Sequence, residues 1–321
     1  MRPAETPVKL YELPSDSVLQ DVLRGLQQPQ KELPARWFYD EVGSRLFEQI
    51  CELDEYYLTR TEMAIMQARV AEMVALLGRG CLLIEYGSGS SKKTRLLLDH
   101  LPEPVAYVAI DISREHLLQA TAALSAAYPG LEVLPLWADY THSVTLPPTK
   151  RPPTRRVAYF PGSTVGNFYP PEVVAFLQRV AAQVGPGGGL LIGVDLKKDP
   201  AILRRAYNDR AGVTAAFNLN MLAHLNRALG ANFQLEQFEH RALYNQEHGR
   251  IEMRLVARAG QTVHLDGRAI PFHAGEEILT EVSYKYSLAD FAELAAEGGF
   301  QVGQVWTDEE QLFSVQYLEA I

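Results

Sequence analysis

Three places in the chain carry residue types and spacings that suit a bound nucleoside. The first is Gly87-Ser88-Gly89, which follows the aliphatic run Leu82–Tyr86 and precedes a helical pattern opening at Ser91, with Lys93 in its first turn. Glycines at such a turn let a ligand approach the backbone, and the helix behind it offers free N–H groups and the positive end of its dipole. Asp111 stands 26 residues after Glu85, at the end of the next aliphatic run, where a carboxylate can accept both hydroxyls of a ribose. Asp139 comes 28 residues later at the end of a third run, with Tyr140 beside it to lie against a purine. Any one of these acids alone reads more simply as an N-cap or a solvated loop residue. In order, at three successive strand ends, they fit a nucleoside laid across the carboxyl edge of a parallel sheet.

The elements that must position these residues are legible as alternating short aliphatic runs and helical patterns, which is the signature of a parallel sheet with covering helices. Strands are expected at Leu82–Tyr86, Val105–Ile110, Leu131–Trp137, Arg156–Phe160 and Leu190–Asp195, with helices over Arg114–Ala127 and from about Pro171 to Val184. Ser287 caps a helix over Leu288–Ala296, and Phe300–Trp306 with Phe313–Glu319 form a closing pair of strands. Two segments fall outside this scheme. Residues 1–59 are mainly polar helix and loop around Trp37-Phe38-Tyr39, and residues 200–285 open with Asp199-Pro200, run helically to Gly230, then carry strand-like stretches at Phe233–Tyr244, Arg250–Arg258 and Glu277–Tyr284. The expected fold is therefore α/β. A doubly wound, Rossmann-like core is assigned to 60–199 and 286–321, and a smaller α/β cap to 1–59 and 200–285.

Composition narrows the function classes. At 321 residues, 47% hydrophobic, the chain can bury one large core or two ordinary ones without staples. Lys plus Arg is 30 and Asp plus Glu 39, a net charge of −9 with no basic run, which speaks against nucleic acid as a partner. Only Cys51 and Cys81 are present, which gives no disulfide framework, and none of the 8 His falls at a metal-binding spacing. His116, His224 and His240 read as surface or helix-face residues. No apolar run approaches membrane-spanning length, and Met1-Arg2-Pro3-Ala4-Glu5 lacks a signal-peptide core. The expectation is a cytoplasmic monomer acting on a small molecule, with no metal and no membrane contact.

Two nucleosides compete. A nicotinamide fingerprint needs a third glycine, but the run is Gly87-Ser88-Gly89-Ser90-Ser91-Lys92. S-adenosylmethionine has no pyrophosphate to cradle, and its carboxylate can be met by a lysine such as Lys93. The Gly185–Gly189 turn before the fifth strand, and the terminal helix–strand–turn–strand, follow the order of class I methyltransferases. S-adenosylmethionine is the better fit.

Longer strings carry a resemblance. Pro34-Ala35-Arg36-Trp37-Phe38-Tyr39-Asp40, Glu55-Tyr56-Tyr57-Leu58-Thr59-Arg60-Thr61-Glu62 and Gly87-Ser88-Gly89-Ser90-Ser91-Lys92-Lys93-Thr94 are three of them. Pro161–Phe168, Ala206–Asp209, Gly212–Asn218, Arg250–Met253 and Leu279–Ser283 are the others. Over nearly its whole length the chain resembles the L-histidine Nα-methyltransferases of ergothioneine biosynthesis. The resemblance implies trimethylation of the histidine α-amine to hercynine. It implies that Gly87, Lys93, Asp111, Asp139 and Tyr140 contact S-adenosylmethionine, and that Tyr56, Asn167, Tyr207, Met253, Glu281 and Ser283 surround the amino acid. Tyr140 departs from the Phe of some relatives, a change that preserves stacking.

The residue types suit that chemistry. In-line displacement at a sulfonium methyl depends on alignment of the amine. Asn167 can hold the α-amino and carboxylate groups without adding charge, and Tyr207 can donate to the carboxylate. Glu281 and Ser283 alternate with Val282, so on a strand they share one face and can bond an imidazole. Tyr39 is a candidate for orienting the amine, and no dedicated general base is identifiable. Each has a plainer reading as packing, turn or solvated strand residue. Two alternatives stay open: another amino acid such as tryptophan as substrate, and a silent paralogue that only binds the cofactor.

Overall fold

The computed structural model describes residues 9–10, 15–89 and 91–321. Ser90 of the glycine string and the stretch Met1–Glu5 lie outside the described residues. The chain forms two compact units: residues 9–10 with Arg60–Leu196 and Tyr286–Ile321 in one, and residues 15–59 with Lys197–Lys285 in the other.

The large unit is built on an eight-stranded sheet. Edge to edge its strands are Lys9–Leu10, Glu132–Trp137, Ala106–Asp111, Cys81–Tyr86, Arg155–Phe160, Gly189–Asp195, Phe313–Ala320 and Phe300–Thr307. The middle five are parallel and, counted in chain order, lie 3-2-1-4-5, the doubly wound arrangement. Phe313–Ala320 then inserts antiparallel beside Gly189–Asp195 and carries Phe300–Thr307 on its far side. Every residue of Cys81–Tyr86 and of Gly189–Asp195 is buried, as a parallel strand covered on both faces requires. The helices Lys92–His100, Arg114–Ala127 and Pro170–Val184 follow three of the parallel strands and Leu288–Glu297 precedes the closing pair, all close to their sequence-expected limits. Ser287 caps the last of them by accepting from the Asp290 N–H at 3.1 Å. Lys9 and Leu10 pair with Leu136 and Trp137, so this short piece belongs with the large sheet and not with the cap to which chain order assigned it.

The smaller unit holds a four-stranded sheet in the order Lys31–Glu32, Glu277–Tyr284, Arg250–Ala257, Phe238–Asn245. Its helices are Ser15–Leu26, Glu41–Cys51, Pro200–Ala206 and Val213–Leu229. Asp40 accepts from the Gly43 N–H at 2.7 Å and from Asn220 at 2.8 Å, and pairs with Arg227, so one carboxylate caps Glu41–Cys51 and ties it to Val213–Leu229. A hairpin, Gln261–Leu265 with Arg268–Phe272, was not expected from the sequence. Its signal is there: Asp266-Gly267 takes positive φ at both positions (+50° and +70°), as a two-residue hairpin turn requires. Val263, Leu265, Ile270 and Phe272 are its buried face. Among the described residues no helix is long and apolar enough to cross a membrane.

Gly193 lies in the large sheet where a side chain has no room. A Cβ there would sit 2.4 Å from a Glu62 carboxylate oxygen and 3.0 Å from the Phe313 ring. Gly193→Ala is therefore expected to cost about 1–3 kcal/mol by overpacking. Urea unfolding measures this, and parent-like stability would contradict the packing described.

Candidate functional site

The carboxyl edge of the large sheet collects the expected nucleoside residues around the turn after Cys81–Tyr86. Gly87 has φ +77° and Gly89 φ +39°, and Ser91 is left-handed at φ +57° before the helix Lys92–His100 begins. The turn is braced by Asp111. One of its carboxylate oxygens accepts from the Ser88 N–H at 3.0 Å, and the other from the Ser113 N–H at 2.9 Å. Burial raises the Asp111 pKa, opposed by those backbone bonds and by His116. Asp139 is buried and accepts from both the N–H and the hydroxyl of Thr141, at 2.9 and 2.5 Å. The Tyr140 ring packs edge-on against Tyr86, Phe160 and Phe176, and its hydroxyl lies 3.8 Å from where a Gly87 Cβ would be.

Beneath the turn lies a carboxylate that the sequence reading did not single out. Glu85 is buried, accepts from Thr94 at 2.7 Å and from the Tyr107 hydroxyl, and is pushed up to about 8 by that burial. A second is Glu62, on the helix Tyr57–Leu77. It pairs with Lys93 and accepts from the Gly162 N–H at 2.9 Å, with no exposed surface of its own. Lys93 thus stands at the turn as expected, but as half of an ion pair. The same contact anchors the loop after Arg155–Phe160, and the Ser163 hydroxyl, accepting from the Asp195 N–H at 2.9 Å, anchors it a second time. That loop ends in the short 3-10 helix Thr164–Asn167, where Asn167 is half-buried. Nothing local in the sequence marks Glu62: its importance lies in a contact 31 residues away.

In the smaller unit the expected amino-acid residues cluster. Glu281 and Ser283 lie on Glu277–Tyr284, two apart on one face, and Met253 is the cross-strand neighbour of Glu281. Tyr207, just past the helix Pro200–Ala206, places its hydroxyl 2.9 Å from the Ser283 hydroxyl. The Tyr56 ring packs edge-on against Tyr207 and Phe47, and Tyr39 packs against Phe47 and Phe217. Burial raises the Tyr56 pKa, and Tyr207, Cys51, Glu281 and Tyr39 add to the rise. Burial also lifts Glu281 to about 7, against the pull of Lys285.

Two further residues complete this cluster. Lys285, on the same face as Glu281 and Ser283, is 1% exposed and donates to both the Tyr207 and Ser283 oxygens. The alternation that singled out Glu281 and Ser283 continues to it. His240 corrects the surface or helix-face reading, because it lies on the strand Phe238–Asn245. Its Nδ1 accepts from Asn218 at 2.8 Å, which leaves Nε2–H to donate to the Tyr207 carbonyl at 2.9 Å. Burial lowers the His240 pKa and keeps it neutral in this role.

Comparison with known proteins bears on what these clusters do. Residues 18–320 match the family described as histidine-specific, SAM-dependent methyltransferase. The chain belongs to that family. It is 44% identical over 300 residues to the histidine N-alpha-methyltransferase of Mycolicibacterium smegmatis, covering 92% of each chain. It is 45% identical over 295 residues to the protein of that name from Mycobacterium tuberculosis, covering 90% of each. Ergothioneine biosynthesis protein 1 of Neurospora crassa is 32% identical over 284 residues, 86% of this chain and 32% of that longer one. The doubly wound core is accordingly the class I methyltransferase fold, and the cofactor is S-adenosylmethionine.

The large unit fits that cofactor. Among the described residues nothing lies within 4 Å of a Cβ built on Gly89, so the turn presents bare backbone to a ligand. The Ser91 hydroxyl is buried with no hydrogen-bond partner among the described residues, the kind of orphan that a polar ligand satisfies. The carboxylates of Asp111 and Asp139 complete a polar rim suited to hydroxyls and amines.

The Glu281 shift has a consequence for stability. From its ordinary value of 4.5 up to about 7, an unfolded chain sheds this proton while the folded one keeps it. The folded state then binds more protons, so this group lowers stability progressively as pH rises through that window. Glu281→Gln removes the effect. Its melting temperature should match the parent near pH 4 and exceed it by pH 8; a pH-independent difference would contradict the assigned burial.

Proposed function

We propose that this protein transfers methyl groups from S-adenosylmethionine to the α-amine of L-histidine, three in succession, giving hercynine as a first step towards ergothioneine. The observation that carries the reading is the cap cluster, in which a carboxylate poised near neutrality shares a strand face with Ser283, whose hydroxyl is bonded to that of Tyr207. An ionisable acceptor of this kind suits an imidazole N–H and is a poor neighbour for an indole, which favours histidine over tryptophan. An intact set of polar residues in both units also weighs against a silent cofactor-binding paralogue.

Bound S-adenosylmethionine supplies an electrophilic methyl on a sulfonium. In our assignment the large unit is the cofactor domain, where Gly87, Asp111, Asp139 and Tyr140 hold the nucleoside and Lys93, with its Glu62 partner, meets the amino-acid end. The smaller unit is the substrate domain. There Glu281 and Ser283 bond the imidazole, Tyr207 donates to the carboxylate, and Met253 and Tyr56 shape the walls. Asn167 is assigned to the amino and carboxylate groups, and Tyr39 to orienting the amine. The nucleophile must be a neutral amine, so each transfer is preceded by loss of an ammonium proton. No side chain is assigned as a dedicated base. We place the enzyme in the cytoplasm as a monomer, with no nucleic-acid, membrane or metal partner.

Incubating the protein with histidine and S-adenosylmethionine should give a product carrying three added methyl groups by mass spectrometry. Faster methylation of tryptophan than of histidine would overturn the substrate assignment. Glu281→Ala should weaken histidine binding about 10- to 100-fold, the scale of one charge-assisted hydrogen bond, with little change for S-adenosylhomocysteine. Calorimetry with each ligand separates the two effects, and equal losses would displace Glu281 from the imidazole.

A further inference from the structure

Glu62 has no exposed surface and so touches no ligand itself, yet two of the elements that frame the nucleoside crevice converge on it. Its carboxylate pairs with Lys93 of the helix Lys92–His100, and both of its oxygens accept from the Gly162 N–H, at 3.1 and 2.9 Å. The sheet is shaped around this group, since Gly193 leaves out the side chain that would run into the same carboxylate. The Lys93 ammonium in turn lies against the loop, 3.9 Å from where a Gly162 Cβ would be, and Gly162 takes the φ of +77° that glycine tolerates. The Lys93 side chain is 17% exposed, so it reaches a ligand where Glu62 does not.

Charge decides what this arrangement does. S-adenosylmethionine has a carboxylate at its amino-acid end, but its sulfonium and ammonium together leave it with a positive charge in excess. A lone lysine attracts the carboxylate and repels the rest. A counter-charge beside the lysine removes the repulsion and keeps the short-range hydrogen bond to the carboxylate. Two buried carboxylates feel the Lys93 charge, Glu62 and Glu85. Burial pushes Glu85 up to about 8, so near pH 7 it is mostly protonated and supplies little of that counter-charge. The role falls to Glu62, which the Gly162 N–H holds in place from the other side.

We infer that Glu62 is a positioning residue for the cofactor: it fixes the direction of the Lys93 ammonium and cancels its charge, so that the crevice binds the carboxylate end of S-adenosylmethionine without repelling the sulfonium. This rests on the proposed assignment of Lys93 to that end of the cofactor. Without Glu62 the ammonium loses both its anchor and its counter-charge, and the site gains a positive charge where a cationic ligand must enter.

Calorimetry with S-adenosylmethionine and with S-adenosylhomocysteine, in the absence of histidine, tests this. The two ligands differ in the sulfonium charge, so the ratio of their affinities reports the charge around Lys93, and a merely structural brace would leave that ratio alone. Glu62→Gln, checked for folding by its melting curve, should weaken both ligands, and S-adenosylmethionine about 10-fold more than S-adenosylhomocysteine. Adding Lys93→Met should return the ratio to the parent value, although both ligands stay weaker than in the parent. If Glu62→Gln does not fold, Lys93→Met alone leaves the Glu62 charge unmatched and should shift the ratio the opposite way. An unmoved ratio in whichever single variant folds, or a shift that survives in the double variant, would overturn the inference. Methylthioadenosine, which lacks the amino-acid end, tests the premise separately. Lys93→Met should weaken S-adenosylhomocysteine about 10- to 100-fold and leave methylthioadenosine unchanged. Equal losses for both would overturn the assignment of Lys93 to the amino-acid end, whatever the ratio shows.

Discussion

The reversal of strand order at Cys81–Tyr86 is the constraint on which the large unit depends. To one side of this strand the sheet continues through Ala106–Asp111 and Glu132–Trp137, and to the other through Arg155–Phe160 and Gly189–Asp195. Connections leave in opposite directions from the central pair, so their loops part at the carboxyl edge and open a crevice there. Gly87, Asp111, Asp139 and the Gly162–Asn167 loop reach that edge only because each follows a different parallel strand. The burial of Cys81–Tyr86 on both faces holds the crevice rigid.

Rigidity at the edge comes from buried carboxylates used as braces. Asp111 ties the glycine turn to the start of the next helix through two backbone N–H groups, and Glu62 ties Lys93 to Gly162. Removing one partner of such a pair leaves an uncompensated charge in a dry place, which is far costlier than never having built it. These contacts therefore specify geometry more than they add stability. The absence of a side chain at Gly193, directly against Glu62, belongs to the same device.

The smaller unit uses a different construction. Its polar cluster sits on an antiparallel strand, where Glu281 and Ser283 face one way, with Lys285 just beyond the strand end, and it is completed by Tyr207 and Tyr56 from elsewhere in the unit. Around it, His240, Asn218 and the Asp40–Arg227 pair hold helices and strands in place through side chains that bond backbone or one another. Neutral hydroxyls, a shifted carboxylate and a buried ammonium in one cluster give a site whose charge is adjustable near pH 7.

Periodicity, glycine placement and caps were enough to determine the five central strands, the closing pair and four helices of the large unit, because those signals act within a few residues of one another; the helix Tyr57–Leu77 and the short strand Lys9–Leu10 were not read from them. The order Gly87, Asp111, Asp139 was legible for the same reason: each is simply the residue that ends a strand. Glu281 and Ser283 could be paired from alternation alone. What the sequence could not decide were contacts made across long stretches of chain: Glu62 with Lys93, Lys285 with Tyr207, His240 with the Tyr207 carbonyl. Such a residue looks like any other solvated Glu, Lys or His until packing removes the water around it. Only the tertiary structure does that, and with the water gone a charge must find a specific partner.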